Sequence, residues 1–431
     1  MDTKISLRPA IMALIFGGLA LSIMLGLRQA MAILLSPVAQ DTGWSIAGLG
    51  FGFALMNLTW GVAQPMAGAL SDRYGPIPVM IGAVLIACSG LLLMNLADTL
   101  LWFNFGLGIL VGASIAGCGF PVILGAILKR TPLERRSMFQ GIGSSVGSFG
   151  MFAMVLIAQD LVEFGGWHFA VWMAMAVVSS IALMAFGLRT PTLAKLPSSE
   201  TDYADLSLSE VLQCAGRERG FILLNLGFFV CGFHVAFIAT HLPNFALGCG
   251  LTAEVGAMGL ALIGLFNMIG SLVAGWVGGH FPHRLILSAI YGLRALVIAI
   301  FMMFPVTELS LYIFTATFGL LWLSTVPSTN SIVAILFGPK FVSTLFGVVF
   351  LSHQLGAFMG AWLSGLMYEA NGNYDLVWWI SIGLGVGASL IHLPIREEVS
   401  KQMSGAKTSG NQAIRQSGNQ AIRQSGNQVI R

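Results

Sequence analysis

The chain has 431 residues, of which 56% are hydrophobic and 9% are charged. A soluble globular domain carries roughly 25% charged residues, and much of any folded surface must face water. This composition excludes an ordinary soluble fold and predicts an all-α membrane protein whose main solvent is lipid. The formal net charge of +3 is too small to indicate a nucleic-acid partner.

Twelve stretches of about 20 largely apolar residues predict twelve transmembrane helices in two groups of six. The first group covers residues 9–34, 44–70, 78–98, 100–128, 138–160 and 167–188. The second covers 220–246, 254–279, 285–305, 309–336, 342–368 and 374–394. The first stretch lacks a small-residue cleavage site, so we expect a membrane span rather than a removed signal peptide.

The positive charges support this arrangement and give its orientation. When the N-terminus, the even-numbered loops and the C-terminus are placed in the cytoplasm, the outer loops contain no Lys or Arg. Of the 21 Lys and Arg residues, only Arg28 and Arg294 then lie inside spans. Because positive charges are retained on the cytoplasmic side, this segregation predicts a multi-pass protein of the cell inner membrane with both termini cytoplasmic.

The two halves of the chain repeat each other. SMFQGIGSSVGSFG at 137–150 matches STLFGVVFLSHQLG at 343–356, and GLRQA at 26–30 matches GFHVA at 232–236. The near-constant offset predicts two parallel six-helix bundles around a pseudo-two-fold axis, with a binding site between them near the membrane midplane. The predicted divisions are an N-terminal bundle (1–188), a cytoplasmic linker (189–219), a C-terminal bundle (220–396) and a disordered cytoplasmic tail with SGNQAIRQ repeats (397–431).

The loop after span 2, GALSDRYG at 68–75, resembles the signature loop of the major facilitator superfamily. The resemblance implies twelve helices in two pseudo-symmetric bundles and secondary transport by alternating access. It also implies a latch between the bundles, which we expect to be weaker here because Pro76 and Pro78 replace the usual basic residues. The gating residues that it implies are Gly68, Asp72, Arg73 and Gly75.

Three segments are similar to bacterial relatives of the monocarboxylate porters and the oxalate/formate antiporters, namely 27–45, 60–75 and 227–243. This resemblance implies a monocarboxylate substrate. Animal monocarboxylate transporters carry an Asp and an Arg four residues apart in span 8, where this chain has Asn267 and Ser271. The proton mechanism that depends on that ion pair is therefore not expected here.

The two intramembrane arginines are the first candidates for substrate binding, since a charge in hydrocarbon is costly and is a functional hypothesis by default. Arg28, near the outer end of span 1, offers a planar fork to a carboxylate, and the alternative is that it extends to the lipid headgroups. Arg294 lies near the middle of span 9, where the alternative is a structural arginine bonded to backbone carbonyls. Both alternatives stay open on the sequence alone.

Other polar residues complete the predicted substrate site. His234 is the repeat mate of Arg28 and is expected to face it across the pseudo-axis, where an imidazole could bind an anion or carry a proton. For each histidine and amide, the alternative is a packing role between helices. The remaining candidate substrate-binding residues are Gln29, Asn57, His241, His353 and Gln354.

The charges inside the spans predict the class of substrate. All 18 Asp and Glu residues fall in loops, tails or span ends, so the cavity has a positive potential that favours a small organic anion over a cation. Coupling is expected to protons or to a counter-substrate. Two alternatives remain: a broad-specificity exporter of drugs or metabolites, and a non-transporting receptor or assembly factor.

No enzyme, cofactor or metal motif stands out along the chain. The five cysteines lack the spacing of metal ligands or of a disulfide framework. His280 and His283 lie three residues apart in a short loop, which is too few ligands for a zinc site. No GxxxxGK[ST] sequence occurs, so ATP hydrolysis is not indicated. We therefore predict no enzymatic activity, no cofactor and no bound metal.

Overall fold

The computed structural model describes residues 7–189 and 206–400, and its long elements are all helices. Residues 190–205 of the predicted linker and residues 401–431 of the predicted tail lie outside this description. The first six spanning helices are α1 (Arg8–Thr42), α2 (Ile46–Tyr74), α3 (Pro76–Leu96), α4 (Leu100–Leu128), α5 (136–165) and α6 (167–185). The second six are α7 (Arg219–Gly248), α8 (Ala253–Val277), α9 (His283–Met303), α10 (Glu308–Phe337), α11 (Val342–Asn371) and α12 (Asp375–His392).

The number of spans agrees with the sequence prediction. Within the described residues, ten helical segments are long and apolar enough to cross a membrane, and one of them, Leu133–Arg189, has 57 residues. Gly166 divides this segment into α5 and α6, because its φ of 77° lies in the left-handed region that interrupts a helix. With α2, which is 29 residues long, the total is twelve.

Several predicted boundaries were wrong by a few residues. Helix α2 continues to Tyr74 rather than ending at residue 70, and α5 continues to residue 165 rather than 160. Gly75, with φ of 85°, ends α2, and Pro76 then occupies the first position of α3. Pro is tolerated there because the first turn of a helix leaves its N–H groups unbonded in any case.

The part of the linker that the structure describes contains a short helix, Leu208–Arg217. Ser207 and Glu210 form a reciprocal capping box at its start, which satisfies two backbone N–H groups. These hydrogen bonds from Ser207 lower the pKa of the Glu210 carboxyl. The domain boundaries proposed from the sequence repeat stay predictions.

Helices of the two halves meet mainly along two seams, α2 against α11 and α5 against α8. In the second seam the backbones of Gly141 and Gly275 lie so close that a Cβ on either would stand 2.6 Å from the other's Cα. Only a residue without a side chain permits this approach. We call the end of the molecule that carries Arg73, Lys129, Arg136 and Lys340 the basic end, and both seams are tightly closed towards it.

Candidate substrate site and gate

Arg28 lies on α1, half-buried, and its guanidinium is held against α2. The Oδ1 atom of Asn57 accepts hydrogen bonds from Nε at 3.1 Å and from Nη2 at 2.8 Å, which fills one edge of the fork. The terminal edge, formed by Nη1 and Nη2, has one long contact, from Nη1 to Oε1 of Gln29 at 3.4 Å. Among the described residues no carboxylate pairs with Arg28. The terminal edge therefore has no carboxylate partner among the described residues and keeps hydrogen-bonding capacity.

Aromatic side chains surround this guanidinium. Arg28 stands over the ring of Trp60 on α2, 5.1 Å from its centroid, which is a cation–π geometry. Trp60 in turn contacts Phe350 of α11 at 5.0 Å, and Phe350 lies 6.1 Å from both Phe120 of α4 and Phe228 of α7. These rings were not predicted from the sequence. The sequence spacing could have predicted Trp60, because it follows Asn57 by three residues and therefore lies on the same face of α2.

A chain of hydrogen bonds connects Arg28 to the other half of the protein. Gln354 of α11 donates from Nε2 to the backbone oxygen of Asn57 at 3.2 Å, and its Oε1 lies 3.1 Å from Nδ1 of His353. Five of the predicted site residues, Arg28, Gln29, Asn57, His353 and Gln354, are thus brought together where α1, α2 and α11 meet. Their roles in substrate binding stay predictions.

Two polar groups beside this cluster are buried without partners among the described residues. They are the Nε1 atom of Trp60 and the side-chain amide of Gln64, one turn further along α2, of which both polar atoms are unsatisfied. Gln64 is fully buried. An unpaired buried polar group costs about 1–3 kcal/mol, so such groups gather where a protein binds water or a ligand.

The predicted gating loop forms a contact between the two halves at the basic end. Asp72 accepts hydrogen bonds from the backbone N–H and the hydroxyl of Thr344, each at 2.7 Å, and from the backbone N–H of Ser343 at 3.3 Å. These are donors of the first turn of α11, where the helix dipole favours a negative charge. Lys129, at the end of α4, lies 2.5 Å from the same carboxylate.

Lys129 offsets the absence of basic residues at positions 76 and 78, which was the reason to expect a weak latch. The basic residues that Pro76 and Pro78 replace are not needed to neutralise Asp72, because α4 supplies a cation from elsewhere in the chain. The neighbouring Arg130 donates to the backbone oxygens of Ala126 at 3.0 Å and Leu188 at 2.8 Å. Burial lowers the pKa of Arg130.

The other three predicted gating residues have distinct surroundings. A Cβ on Gly68 would stand 2.3 Å from the backbone oxygen of Ser343, so this glycine permits α2 to contact α11. Gly75 adopts the positive φ that ends α2. Arg73 is exposed and stands over the ring of Tyr74, 5.0 Å from its centroid.

Arg294 is fully buried within the second half, and its Nη2 lies 3.6 Å from the thiol of Cys231. It donates to the backbone oxygen of Leu321 from Nε at 3.2 Å and from Nη2 at 2.6 Å, and also to the oxygen of Trp322. These carbonyls belong to an interruption in α10 between Leu321 and Thr325. Of the two alternatives for Arg294, this geometry favours the structural one.

The expectation that His234 faces Arg28 is wrong. His234 is fully buried, and its Nε2 lies 2.9 Å from the backbone oxygen of Ser381 on α12. The register of the repeat placed it at a corresponding depth but did not determine which way the ring points. His241 also lies away from Arg28, with Nδ1 3.0 Å from the hydroxyl of Tyr374 and Nε2 2.9 Å from the backbone oxygen of Ala361.

Asn267, at the position of the carboxylate in animal monocarboxylate transporters, spans three helices. Its Nδ2 donates to the hydroxyl of Ser148 on α5 at 2.9 Å, and its Oδ1 accepts from the backbone N–H of Leu323 in the α10 interruption at 3.0 Å. Ser271 is buried, and its hydroxyl has no partner among the described residues. An amide thus replaces an ion pair as the polar contact at this seam.

Comparison with known proteins places these features in a family. Residues 10–361 match the sequence profile of the Major Facilitator Superfamily. The chain belongs to this superfamily. The family and the fold are those of membrane transporters, not of enzymes.

Individual relatives are distant but cover most of the chain. Rat monocarboxylate transporter 13 is 26% identical over 321 residues, which are 72% of this chain and 71% of the relative. An uncharacterized transporter of the superfamily from Bacillus subtilis, YcxA, is 23% identical over 332 residues, or 75% and 80% of the two chains. The predicted resemblance to monocarboxylate transporters is thereby confirmed at low identity.

Solved structures of the superfamily share the fold. The Escherichia coli fucose:proton symporter aligns with a TM-score of 0.67 at 16% identity, over 89% of this chain and 98% of its own. The proton:xylose symporter XylE aligns with a TM-score of 0.72 at 13% identity, over 92% and 98%. At this identity the likeness confirms the fold of two six-helix bundles and says nothing about substrate.

Proposed function

We propose that this protein is a secondary transporter that moves a small organic anion, in particular a monocarboxylate, across the cell inner membrane by alternating access. The observation that carries the proposal is the open terminal edge of Arg28. A guanidinium binds a carboxylate through two parallel N–H···O bonds, and Asn57 already fixes the plane of this one through its other edge.

The surroundings of Arg28 favour a carboxylate with a compact apolar body. Trp60 and Phe350 present ring surfaces beside the guanidinium, and the buried Nε1 of Trp60 offers a further donor. Similarity to monocarboxylate transporters supports the same class of substrate. A cation would meet Arg28 with no compensating carboxylate among the described residues, which disfavours it by charge repulsion.

The contacts at the basic end support a gate at that end. Asn57 and Asp72 are separated by fifteen residues of α2, or about 22 Å along the helix. The substrate cluster and the Asp72–Thr344 contact therefore lie at different depths of one helix pair. We infer that breaking this contact opens the site to the basic end. We propose that this end faces the cytoplasm, because positive charges are retained on that side of a membrane.

A ligand screen by thermal shift tests the substrate class. Purified protein is heated with formate, L-lactate, pyruvate or benzoate, and in parallel with organic cations and neutral drugs. A ligand at a hundredfold excess over Kd stabilises the folded state by about 2.7 kcal/mol. We expect stabilisation by carboxylates that Arg28→Gln abolishes and the matched surface variant Arg189→Gln retains.

The opposite pattern would identify the alternative function. Stabilisation by neutral drugs or cations alone, unchanged in Arg28→Gln, would show that the aromatic rings and not the guanidinium select the ligand. The protein would then be a broad-specificity exporter, and the anion proposal would be wrong.

A further inference from the structure

Helix α4 is interrupted within its span. Its first part ends at Gly117, and its second part, Phe120–Leu128, begins after Cys118 and Gly119. The start of this nine-residue part is buried, and among the described residues no side chain caps it. The first N–H groups of a helix have no partner within the helix, and Pro121 removes only one of them. The interruption therefore leaves buried backbone donors without a partner in α4.

Gln64 of α2 lies at this interruption. A Cβ on Gly119 would stand 2.6 Å from Nε2 of Gln64. Gln64 is fully buried, and neither its Nε2 nor its Oε1 has a hydrogen-bond partner among the described residues. The amide therefore requires a group that accepts from Nε2 and donates to Oε1. A hydroxyl does both, whereas a carboxylate or a ketone only accepts.

The matching interruption of α10, in the second half, is satisfied by side chains of the protein. Asn267 of α8 accepts from the backbone N–H of Leu323 at 3.0 Å. Arg294 of α9 donates to the backbone oxygens of Leu321 and Trp322. One amide and one guanidinium thus supply the acceptor and the donors that this interruption needs.

The first half lacks the counterparts of these two side chains. Helices α2 and α8 begin at residues 46 and 253, which are 207 positions apart, and α3 and α9 have the same spacing. At this spacing Asn267 corresponds to Trp60 and Arg294 to Ala87, neither of which has a side-chain acceptor. The Nε1 atom of Trp60 is itself buried without a partner among the described residues. The protein therefore completes one interruption and leaves the other incomplete.

The incomplete interruption is aligned with the proposed anion clamp along α2. Gln64 follows Asn57, which holds Arg28, by seven residues on the same helix face. Seven residues are two helical turns, or about 10 Å. Trp60 lies between them, and its ring contacts that of Phe350 at 5.0 Å. An aromatic wall thus separates a site for an anion from a site for a hydroxyl.

We propose that the transported anion is a carboxylate with a hydroxyl group at its far end, which binds to Gln64 and to the start of the second part of α4 while the carboxylate binds to Arg28. The inference rests on the proposed function and specifies its substrate class. The hydroxyl donates to Oε1 of Gln64 and accepts from Nε2 or from a backbone N–H of α4. Because Gln64 is fully buried in this conformation, the hydroxyl reaches it when α2 and α11 separate.

The test compares carboxylates that differ only in a hydroxyl. Isothermal titration calorimetry on the full-length protein gives Kd for hydrocinnamate and its para-hydroxy derivative, whose hydroxyl lies at the opposite end from the carboxylate. We expect the hydroxyl to improve Kd by about tenfold, the effect of an added hydrogen bond in a buried site. Propionate and L-lactate are the control pair. The hydroxyl of L-lactate is next to the carboxylate and cannot reach Gln64, so this pair should show no such gain.

Replacing Gln64 with Leu removes both unpartnered atoms and keeps most of the volume. Gln64→Leu should bind hydrocinnamate as the wild type does and lose the preference for the para-hydroxy derivative. It should melt at or above the wild-type temperature, because an unsatisfied buried amide is costly and an apolar group is not. Arg28→Gln should weaken both ligands by the same factor and leave the preference unchanged.

A second variant alters the same place without changing Gln64. In Gly119→Ala the new Cβ would displace the end of the flexible Gln64 side chain, so the preference should fall while the protein stays folded. Gly82→Ala is the matched control, since its Cβ would meet nothing within 4 Å, and it should keep the wild-type preference.

The outcomes separate this inference from the proposed function. If no carboxylate binds, the anion proposal fails and the hydroxyl site fails with it. If carboxylates bind through Arg28 but the long pair shows no preference, or only short carboxylates bind, the proposed function stands and the hydroxyl site is overturned. A preference that persists in Gln64→Leu, or a lower melting temperature of this variant, also overturns it.

Discussion

The carboxylate of Asp72, at the end of α2, accepts two hydrogen bonds of 2.7 Å from Thr344, at the start of α11. One comes from the backbone N–H and the other from the hydroxyl, so the contact joins a side chain of one half to the first turn of a helix in the other. Hydrogen bonds to a charged group contribute about 1.5–3 kcal/mol each. We therefore propose that Asp72 contributes to closing the basic end.

Replacing Asp72 with Asn should open this end. An amide carries no charge and puts an NH₂ group towards N–H donors of α11, so at least one hydrogen bond is lost. The readout is maleimide labelling of a cysteine introduced by Ser343→Cys, at a position that is buried at the seam. We expect this cysteine to react about tenfold faster or more when Asp72 is replaced with Asn. Thr344→Val is the graded control, since it removes the hydroxyl and keeps the backbone donor. Unchanged labelling of Ser343→Cys in Asp72→Asn would show that the contact does not hold the seam.

A double-mutant cycle should reveal the ion pair that replaces the expected basic residues. Lys129 lies 2.5 Å from Asp72, whose carboxylate is 2% exposed. Lys129→Gln and Asp72→Asn should each lower thermal stability, and the double variant should lose less than the sum, with a coupling on the order of 1–3 kcal/mol. Strict additivity of the two effects would contradict a direct interaction.

Gly68 should tolerate no side chain while the seam is closed. In Gly68→Ala the new Cβ would lie 2.3 Å from the backbone oxygen of Ser343, so α2 and α11 must separate, at about 1–3 kcal/mol. Gly82→Ala is the matched control in α3, because its Cβ would meet nothing within 4 Å, and it should be neutral or stabilising by about 0.5–1 kcal/mol. Equal melting temperatures of the two variants would contradict the close packing at Gly68.

Removal of Arg294 should impair folding, whereas removal of Arg28 should impair carboxylate binding. Arg294→Met leaves the carbonyls of Leu321 and Trp322 without a donor inside the protein, so we expect a loss of about 3 kcal/mol or more and poor recovery of folded protein. Arg28→Met should remain folded and lose carboxylate binding. Size-exclusion profiles and melting curves of the two variants make the comparison, and a well-folded Arg294→Met would contradict the structural role.

The sequence predicted the fold well because lipid imposes strong rules. Span length, charge segregation and the internal repeat each follow from the bilayer or from duplication, and α2 and α5 differ from prediction only at their ends. Arg28, Asn57 and Gln354 could be proposed because a polar residue among apolar ones is conspicuous. Their actual pairing was not predictable, since it depends on the rotation of α11 against α2.

Three features of the site differ from the sequence prediction or were absent from it, each for a different physical reason. His234 shares the repeat position of Arg28 but points towards Ser381, because symmetry of the backbone does not determine the contacts of different side chains. Trp60 is not predicted as a site residue, because aromatic residues are common in membrane spans. Lys129 lies in a predicted loop, and only the fold brings it to Asp72.

The central claim, that Arg28 binds a transported carboxylate, is tested most directly by uptake into proteoliposomes. The labelled carboxylate that most stabilises the wild-type protein is supplied outside, and initial uptake is measured for the wild type, Arg28→Gln, Arg28→Lys and the surface control Arg189→Gln. We expect saturable uptake by the wild type and by Arg189→Gln, and partial activity in Arg28→Lys. Uptake by Arg28→Gln should fall by about 10- to 100-fold or more, which corresponds to about 1.5–3 kcal/mol for a charged hydrogen bond. Wild-type uptake by a folded Arg28→Gln protein would contradict it.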